Sequence, residues 1–342
     1  MKVLIGGQIE KGGTVNFCVK AFRTLGVEVV VVNYNEYFHL SFVNRVVNKF
    51  LKTPWYFGVG VLNSVLIEKT EKFSPDFVLL FKPVFIFPKT VEKMKKITKV
   101  FSWYPDFILF TKTASTLFFQ SIPLYDAHFS FNFENAEELK KLGVKNSFFL
   151  PCAFDPDCHA PSKILEKEKT ESGSDIVFVG TYAKERRSEY LERLCGDGYD
   201  IKIYGNGWEG HPKNSCLWRN GCIRSKTLHC RDMSKTLSLS KVVVAFVRDH
   251  NKETLACRTY EIPACGAFML HQRTSKIGEV LEEGKEAEFF SSYEEMRKKI
   301  DFYLKNEDLR KEIAERGKNR VLREDLFIHR IEKIFEVFKE LG

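Results

Sequence analysis

The apolar positions of this 342-residue chain fall into short runs separated by helical stripes, and the pattern occurs twice. In the first half, strand-like runs are found at 2–6, 28–33, 76–81, 99–104, 127–131 and 147–150. In the second half, they are found at 175–180, 200–204, 241–246, 267–270 and 287–290. Strands that alternate with helices favour parallel sheets, so each half predicts an α/β domain.

A polar stretch between the halves interrupts the apolar periodicity and predicts a linker at 161–174. The domains are then expected at 1–160 and 175–322. Beyond them, apolar residues three or four positions apart predict a final helix within 323–342, which we expect to pack back on the first domain. Its apolar stripe consists of Phe327, Ile328, Ile331, Ile334, Phe335 and Phe338.

Composition is typical of a soluble globular protein, with 44% hydrophobic and 29% charged residues. No run approaches the roughly 18 apolar residues that span a bilayer. The N-terminus lacks the apolar block of a secretory signal, so we expect a cytoplasmic protein. The nine cysteines are expected to be reduced thiols without disulfides. Cys216, Cys222, His229 and Cys230 cluster, but their spacing matches no paired zinc signature, so no metal is expected.

The formal charge of +8 lies almost entirely in the first half. Residues 1–150 hold 19 Lys and Arg against 12 Asp and Glu, whereas residues 151–342 hold 34 against 33. Such a surface could attract anionic lipid or an acidic acceptor, although a solvated lysine-rich face is the commoner explanation. A basic amphipathic pattern at 42–52 fits a helix on a membrane surface or a core helix of the first domain. Nucleic acid is not an expected partner.

One segment, residues 253–270, carries the most specific chemistry. Glu261 is expected to open a helix that Gly266 ends, before the strand predicted at 267–270. In open α/β sheets, ligands collect outside the carboxyl ends of the strands. The Glu261 carboxylate can accept hydrogen bonds from a cis diol, and the Arg258 guanidinium suits a diphosphate. The segment therefore indicates a nucleotide-sugar site, with an ordinary capped surface helix as the alternative.

Four stretches of the second half resemble the C-terminal domain of the CgeB-like (spore maturation protein) glycosyltransferases, relatives of glycosyltransferase family four. They are 178–181, 186–187, 203–208 and 258–266. The stretches 149–161 and 307–314 are also similar to segments of this family. The resemblance implies a GT-B fold, in which two Rossmann-like domains with parallel sheets face each other across a cleft. The second domain would hold the nucleotide-sugar donor, and the first would hold the acceptor.

The resemblance also implies roles for individual residues of the second half. Glu261 matches the glutamate that holds the donor ribose, and Glu253 falls where a first glutamate contacts the donor sugar. Gly180 and Thr181 would offer backbone amides to the diphosphate. An ordinary helix start and a plain turn are the alternatives for the other donor-binding candidates. These candidates are Arg186, Arg187, Gly205, Asn206, Gly207 and Trp208.

In the first half, Gly12 and Gly13 precede a predicted helix, where family-four enzymes place a glycine loop against the donor. The glycine spacing matches neither a P-loop nor a G-x-G-x-x-G fingerprint. Asp106 follows a strand end and could orient an acceptor or act as a general base, with a turn-forming Asp as the alternative. Three imidazoles in or near this half are expected to be structural. They are His39, His128 and His159.

The function that follows from these features is transfer of a sugar from a nucleoside-diphosphate sugar to an unknown glycan, lipid-linked or protein acceptor. The resemblance implies retention at the anomeric carbon, and neither a metal nor a further cofactor is expected. Two other classes remain open. A nucleotide-sugar epimerase would convert its donor without an acceptor, and a non-catalytic or coat-assembly protein would bind a nucleotide sugar without turnover.

Overall fold

The computed structural model describes residues 1–37, 58–108, 115–165, 167, 173–224 and 227–342. The amphipathic segment 42–52 and His39 lie outside these residues. The strands are β1 (Lys2–Gly7), β2 (Glu28–Asn33), β3 (Phe77–Phe81), β4 (Lys99–Tyr104), β5 (Ala127–Ser130), β6 (Ser147–Phe149), β7 (Ser174–Val179), β8 (Ile201–Tyr204), β9 (Ser240–Ala245), β10 (Met269–Gln272) and β11 (Glu288–Phe290). The helices are α1 (Thr14–Thr24), α2 (Val59–Phe73), α3 (Pro88–Lys95), α4 (Thr116–Ser121), α5 (Phe133–Lys141), α6 (Arg186–Gly196), α7 (Cys216–Arg219), α8 (Cys230–Ser238), α9 (Cys257–Ala264), α10 (Ile277–Val280), α11 (Tyr293–Lys305), α12 (Glu307–Glu324) and α13 (Phe327–Glu340).

Residue contacts divide the chain into two compact units, neither of which is continuous in sequence. Unit 1 comprises Met1–Cys152, His250–Glu253 and Phe327–Gly342. Unit 2 comprises Ala153–Asp249 and Thr254–Leu326. The first change of unit therefore falls at 152 rather than near 160, and no sequence pattern marks the short return at His250–Glu253.

Unit 1 is built on a parallel sheet with the strand order β2-β1-β3-β4-β5-β6. Its central strand β3 is buried along its whole length, as expected for a strand covered on both faces. The chain passes from β1 to β2 on one side and returns to β3 on the other. The strand order therefore reverses between β1 and β3.

The final helix α13 belongs to unit 1 and packs against α1. Ile331 and Ile334 are fully buried. The rings of Phe335 and Phe338 lie 6.5 and 5.2 Å from the ring of Phe77 on β3. Burial of a large apolar side chain contributes about 1.5–3 kcal/mol. The apolar stripe of α13 is therefore one of the layers that cover this sheet.

Unit 2 is built on a second parallel sheet, with the order β11-β10-β9-β7-β8. Here the order reverses between β7 and β9, because β8 lies on one side of β7 and β9 on the other. The interior contains the fully buried Trp208 and the apolar faces of β7, β9 and α11. The prediction of two Rossmann-like α/β domains with parallel sheets is confirmed. No helix in the described part of the chain is long and apolar enough to cross a bilayer.

The cysteine prediction is wrong at one place, because Cys158 and Cys230 form a disulfide in unit 2. Cys158 lies in a turn, and Cys230 is the first residue of α8. The prediction rested on the apolar segments that flank most of the cysteines, and these two residues are brought together only by the fold. The other cysteines, all in described segments, are free thiols: Cys18, Cys152, Cys195, Cys216, Cys222, Cys257 and Cys265.

The helix expected to start at Glu261 starts earlier. α9 begins at Cys257, so Glu261 lies inside the helix and not at its first position. Gly266 follows the helix end with a φ of 67°, the left-handed region that favours glycine. The strand after it begins at Met269, two residues later than the apolar run suggested.

Candidate active site

The reversal of strand order in unit 2 marks where a ligand is expected, outside the carboxyl ends of β7 and β9. The helix α9 is tied to this point. Arg258 Nε donates a hydrogen bond to the carbonyl oxygen of Val179, the last residue of β7, at 3.1 Å. The first turn of α9 is therefore attached to the strand end where ligands collect.

The first turn of α9 is also attached to β10. The hydroxyl of Thr259 accepts a hydrogen bond from the Ala256 amide at 3.1 Å. It lies 3.0 Å from Nε2 of the buried His271. Because His271 Nδ1 donates to the carbonyl of Gln272 at 2.6 Å, Nε2 accepts the hydroxyl proton. This network sets the position of the helix that carries the two charged candidates.

Arg258 and Glu261 lie one turn apart on α9 and form an ion pair between Nη1 and Oε2. Glu261 is only 8% exposed. Because Arg258 also donates to Val179, its guanidinium is held by two partners. A carboxylate offers about four lone-pair positions, so the ion pair leaves Glu261 capacity to accept further hydrogen bonds. The structure thus brings the two predicted residues together at the expected strand ends.

A third residue, His159, joins this pair. Its Nε2 lies 3.5 Å from Glu261 Oε1. Its Nδ1 accepts a hydrogen bond from the Asp155 amide at 3.3 Å, which places the proton of the neutral ring on Nε2. Burial, together with the charge of Arg258, lowers the pKa of His159 to about 4. His159 is therefore a neutral imidazole that directs an N–H at the carboxylate.

From the sequence alone, His159 is expected to have a structural role. The available signal was its place in the stretch 149–161, which resembles the end of the family's first domain. His128, by contrast, is placed as expected. Its Nδ1 lies 2.6 Å from the Ser102 hydroxyl and its Nε2 2.7 Å from the Ile122 carbonyl, in the interior of unit 1.

The loops after β7 and β8 are joined at a close approach of two glycines. Gly205 has a φ of 139°, and a Cβ atom there would overlap the carbonyl oxygen of Gly180. The same oxygen accepts a hydrogen bond from Trp208 Nε1 at 2.9 Å. Trp208 is fully buried. The indole N–H therefore holds the loop after β7, and the apolar part of the ring packs in the core of unit 2.

Hydrogen bonds between the same two loops use some of the backbone amides that follow β7. The Gly180 amide donates to the carbonyl of Tyr204 at 2.9 Å, so it is used within the fold. The next amide along the chain, that of Thr181, is the better candidate for a phosphate. Asn206 accepts from the Tyr182 amide at 2.8 Å through its carbonyl oxygen, and its side chain is hydrogen-bonded to Thr227.

Further contacts shape the end of this turn and the start of α6. Gly207 has a φ of 81° and precedes the turn that contains Trp208. The side chain of Arg186 is 43% exposed and lies 3.9 Å from Asp249. Arg187 is buried, 3.7 Å from Glu185. Of the two arginines that the sequence left undecided, Arg186 is thus the one with the accessible guanidinium.

Unit 1 contains a pocket at its own reversal of strand order, between the ends of β1 and β3. Gly12 has a φ of 75°, and the Gly13 amide donates to the Glu10 carbonyl at 2.9 Å, which shapes the loop into α1. We call this cavity, of about 510 Å³, the unit 1 pocket. It is lined by Gln8, Glu10, Gly13, Thr14, Val15, Tyr34, Phe81, Lys82, Val84, Phe85, Pro105 and Phe131.

Asp106 lies beside this pocket and pairs with a lysine that sequence reasoning missed. The Lys82 Nζ to Asp106 Oδ2 distance is 2.5 Å. The backbone oxygen of Asp106 accepts from the Asn135 side chain, which also accepts from the Ile108 amide at 2.7 Å. Lys82 comes directly after β3 in a segment without other polar signals. Only the parallel pairing of β3 with β4 brings the two residues together.

Glu253 and Glu261, eight positions apart in sequence, belong to different units. Glu253 Oε1 accepts a hydrogen bond from the side chain of Asn251 at 2.9 Å. Asn251 Oδ1 accepts from the Phe107 amide at 2.6 Å, next to Asp106. The two carboxylates proposed for catalysis, Asp106 and Glu253, are therefore parts of unit 1, whereas Glu261 is part of unit 2.

Among the residues that the structure covers, no group of three or more His, Cys, Asp or Glu side chains is placed to hold a metal ion. The cysteine and histidine cluster at 216–230 accordingly forms no such group. Cys230 is in the disulfide, and Cys216 and Cys222 are free thiols beside Cys195.

Comparison with known proteins defines the class. Residues 186–336 match the family model described as "Glycosyl transferase-like". This range contains Arg258 and Glu261, so both residues lie in a glycosyltransferase-like domain. No curated protein matches the sequence.

Solved structures share the whole architecture. Sucrose-phosphate synthase from Thermosynechococcus elongatus is 9% identical, with a TM-score of 0.69 over 99% of this chain and 98% of that chain. HepE from Anabaena, solved in complex with UDP, is 12% identical, with a TM-score of 0.64 over 99% and 100%. A putative UDP-N-acetylglucosamine 2-epimerase from Listeria monocytogenes is 14% identical, with a TM-score of 0.55 over 98% and 96%. The predicted GT-B fold is confirmed, whereas the CgeB-like and family-four assignments stay predictions.

Proposed function

We propose that this protein transfers a sugar from a nucleoside-diphosphate sugar to an acceptor, and that unit 2 binds the donor through Arg258 and Glu261. The observation that carries the proposal is their ion pair at the reversal of strand order, attached to the end of β7 by the hydrogen bond to Val179. HepE was solved with UDP and with UDP-glucose. A uridine diphosphate sugar is therefore the first donor to test.

Each donor-binding residue has a chemical role in this proposal. Glu261 accepts hydrogen bonds from the ribose hydroxyls, and the His159 N–H keeps its carboxylate oriented. Arg258, the Thr181 amide and the exposed Arg186 face the diphosphate. The turn at 205–208 lies near the base, with Gly205 and Gly207 allowing its close approach to the loop after β7.

The proposed mechanism requires no metal and no cofactor beyond the donor. When the glycosidic bond to the diphosphate breaks, negative charge develops on the phosphate oxygens. Fixed guanidinium and amide donors stabilise that charge without reorganisation at the moment of reaction. Transfer that persists in excess EDTA would support metal independence, and activity restored only by a divalent cation would contradict it.

We assign the catalytic roles to Asp106 and Glu253, with the acceptor bound by unit 1 and the anomeric configuration retained. Asp106 orients the acceptor or receives its proton, and Glu253 contacts the donor sugar. The acceptor is a glycan, a lipid-linked sugar or a protein. The anomeric coupling constant of the first-formed product, measured by NMR, distinguishes retention from inversion.

The donor site can be tested without knowing the acceptor. Thermal shifts would be measured with UDP, UDP-glucose, UDP-N-acetylglucosamine, GDP-mannose and their parent diphosphates. We expect at least one ligand to raise the Tm of the native chain. Glu261→Gln and Arg258→Lys should abolish that rise.

Glu312→Gln on the exposed face of α12 is the matched control and should respond like the native protein. Because Glu261 is buried, each variant is compared with its own Tm without ligand. Equal shifts in Glu261→Gln and in the native protein would refute the donor site.

The epimerase fold neighbour keeps one alternative open. An epimerase would convert the donor into its isomer without an acceptor, and a non-catalytic protein would bind it without change. Chromatography of the nucleotide sugar after incubation with the protein separates the three outcomes. An isomeric nucleotide sugar would replace the proposed reaction with epimerisation. Unchanged donor with every acceptor tried would indicate a protein that binds a nucleotide sugar without turnover.

A further inference from the structure

The unit 1 pocket has walls suited to one face of a sugar ring. Four of its lining residues are aromatic, namely Tyr34, Phe81, Phe85 and Phe131. Tyr34 and Phe81 are buried, whereas Phe85 and Phe131 are half-buried and have ring surface left to cover. Binding sites for small molecules typically combine apolar and aromatic walls with a few polar groups. Here the polar groups are the side chains at the loop into α1 and Lys82.

The charges around the pocket do not follow the basic surplus of the first half of the chain. Among the lining residues that the structure describes, Lys82 is the one cation, and it is paired with Asp106. Glu10 adds a second carboxylate. An anionic ligand would meet a cation that is already neutralised and a carboxylate that repels it. The local balance therefore favours an uncharged ligand.

The backbone at Lys82 is strained in a way that serves this arrangement. Its φ of 42° lies in the left-handed region, which is unfavourable for a residue that carries a Cβ atom. The Lys82 amide donates to the Trp103 carbonyl at 3.0 Å, and its own carbonyl accepts from the Val84 amide at 2.8 Å. Strain of this kind persists only where the surroundings fix it, and it is common at functional sites. Here it turns the chain so that Nζ reaches Asp106.

We propose that the unit 1 pocket binds an uncharged carbohydrate ring of the acceptor, and that Lys82 is a positioning residue that fixes the Asp106 carboxylate beside it. The identification of the ring as the acceptor rests on the proposed function. The binding of a neutral sugar at this pocket does not.

The binding is tested by saturation-transfer difference NMR on the full chain. The probes are methyl α-glucoside, methyl β-galactoside and methyl β-glucuronide, the last as a charged analogue. We expect signals from at least one neutral glycoside and none from the glucuronide. Phe131→Ala and the milder Phe85→Leu should each weaken the neutral signals at least threefold.

Phe119→Ala, at an exposed ring elsewhere in unit 1, is the matched aromatic control and should leave these signals unchanged. Absence of signal from every neutral glycoside, or a glucuronide signal as strong as theirs, would overturn the proposal. These NMR measurements need no donor, so their outcome does not depend on whether the donor site on α9 is correct.

The role of Lys82 is tested by Lys82→Asn, since Asn tolerates left-handed backbone and removes the ammonium. Lys252→Asn is the matched control, because Lys252 has a φ of 45° in the same unit. With the donor identified by thermal shift, Lys82→Asn should lower kcat for transfer at least tenfold and change the pH profile of transfer. Lys82→Arg should restore most of the rate.

Hydrolysis of the donor by water should change little in Lys82→Asn, because that reaction uses no acceptor. An unaltered pH profile and transfer rate in Lys82→Asn would show that the ion pair has no positioning role. Equal loss in the Lys252→Asn control would assign the effect to the backbone.

Discussion

At the scale of single residues, Gly205 shows how a backbone constraint supports the candidate donor site. Its left-handed φ and its approach to the Gly180 carbonyl both exclude a side chain. Gly180 also precedes the Thr181 amide proposed for the diphosphate. A substitution at Gly205 would therefore affect stability and donor binding together.

We expect Gly205→Ala to destabilise unit 2 by about 3 kcal/mol or more, from backbone strain and overlap combined. Gly198→Ala is the control, because Gly198 has a φ of 89° and a Cβ there meets nothing within 4 Å. It should cost only the strain, about 1–2 kcal/mol. Urea unfolding of the three proteins measures the difference, and equal losses would show that the loops move apart freely.

The buried histidines predict a pH dependence of stability. Burial lowers the pKa values of His128 and His271 to about 4, from 6.5. Between these pH values the unfolded chain binds more protons than the native one, so stability is present above pH 6.5 and is lost as pH falls towards 4. Each histidine should cost about 2 kcal/mol between pH 7.5 and pH 5.

Urea titrations of the native chain and of His128→Gln at pH 7.5 and 5 provide the measurement. The variant should lose less stability on acidification than the native protein. A pH slope unchanged by the substitution would mean that His128 is protonated in the folded state without cost.

At the scale of elements, the disulfide between Cys158 and Cys230 attaches the turn at 156–158 to the first residue of α8. The two cysteines are 72 positions apart, and closing a loop of that length in the unfolded chain is worth about 4 kcal/mol on the entropy model. We expect a reductant to lower the unfolding midpoint of the native chain. The unfolding midpoint of the double variant Cys158→Ser, Cys230→Ser should be insensitive to the reductant. Alkylation with mass spectrometry should show two fewer free thiols in the untreated native protein than in the same protein after reduction.

The helix α13 predicts a second effect at this scale. Ile334→Ala removes a fully buried side chain and should cost about 2–5 kcal/mol. Glu336→Ala, on the exposed face of the same helix, should change stability by less than about 0.5 kcal/mol. Urea unfolding compares them. Similar small losses in both variants would mean that α13 contributes little to unit 1.

At the scale of the whole molecule, the charge asymmetry predicts salt-dependent membrane contact. Residues 1–150 hold 19 Lys and Arg against 12 Asp and Glu, and such a surplus is attracted to an anionic membrane surface. In sedimentation with vesicles, the chain should bind phosphatidylserine-containing vesicles at low salt and be released as salt screens the charges. Equal recovery with pure phosphatidylcholine vesicles, at any salt concentration, would contradict this.

Much of the architecture could be predicted because periodicity is local. Strand runs such as 99–104 and the stripe of α13 are determined by neighbouring residues, and the order of strands and helices follows from them. Pairings between distant residues could not be predicted. Lys82 meets Asp106, His159 meets Glu261 and Cys158 meets Cys230 only through tertiary packing, and no local pattern marks them.

The candidate site was predictable to the same extent. Arg258 and Glu261 share one helical turn, so their spacing alone brought them together. The role of Glu253 at the donor sugar is implied by the family resemblance, and no periodic pattern marks the change of unit between Glu253 and Glu261. Trp208 is a donor-binding candidate through the family resemblance, and no local pattern indicates that its ring packs in the core of unit 2.

The short return of the chain at His250–Glu253 has a consequence for engineering donor specificity by domain exchange. A continuous segment that spans unit 2 would also transfer these four residues of unit 1 into the recipient protein. The side chain of Asn132 would tolerate different side chains there, because its Nδ2 donates to the backbone carbonyls of residues 251 and 252. The Phe107 amide, however, requires the side chain of Asn251. Chimeras that retain asparagine at position 251 should therefore fold. Chimeras with another residue there should lose the hydrogen bond that the Phe107 amide donates to Asn251.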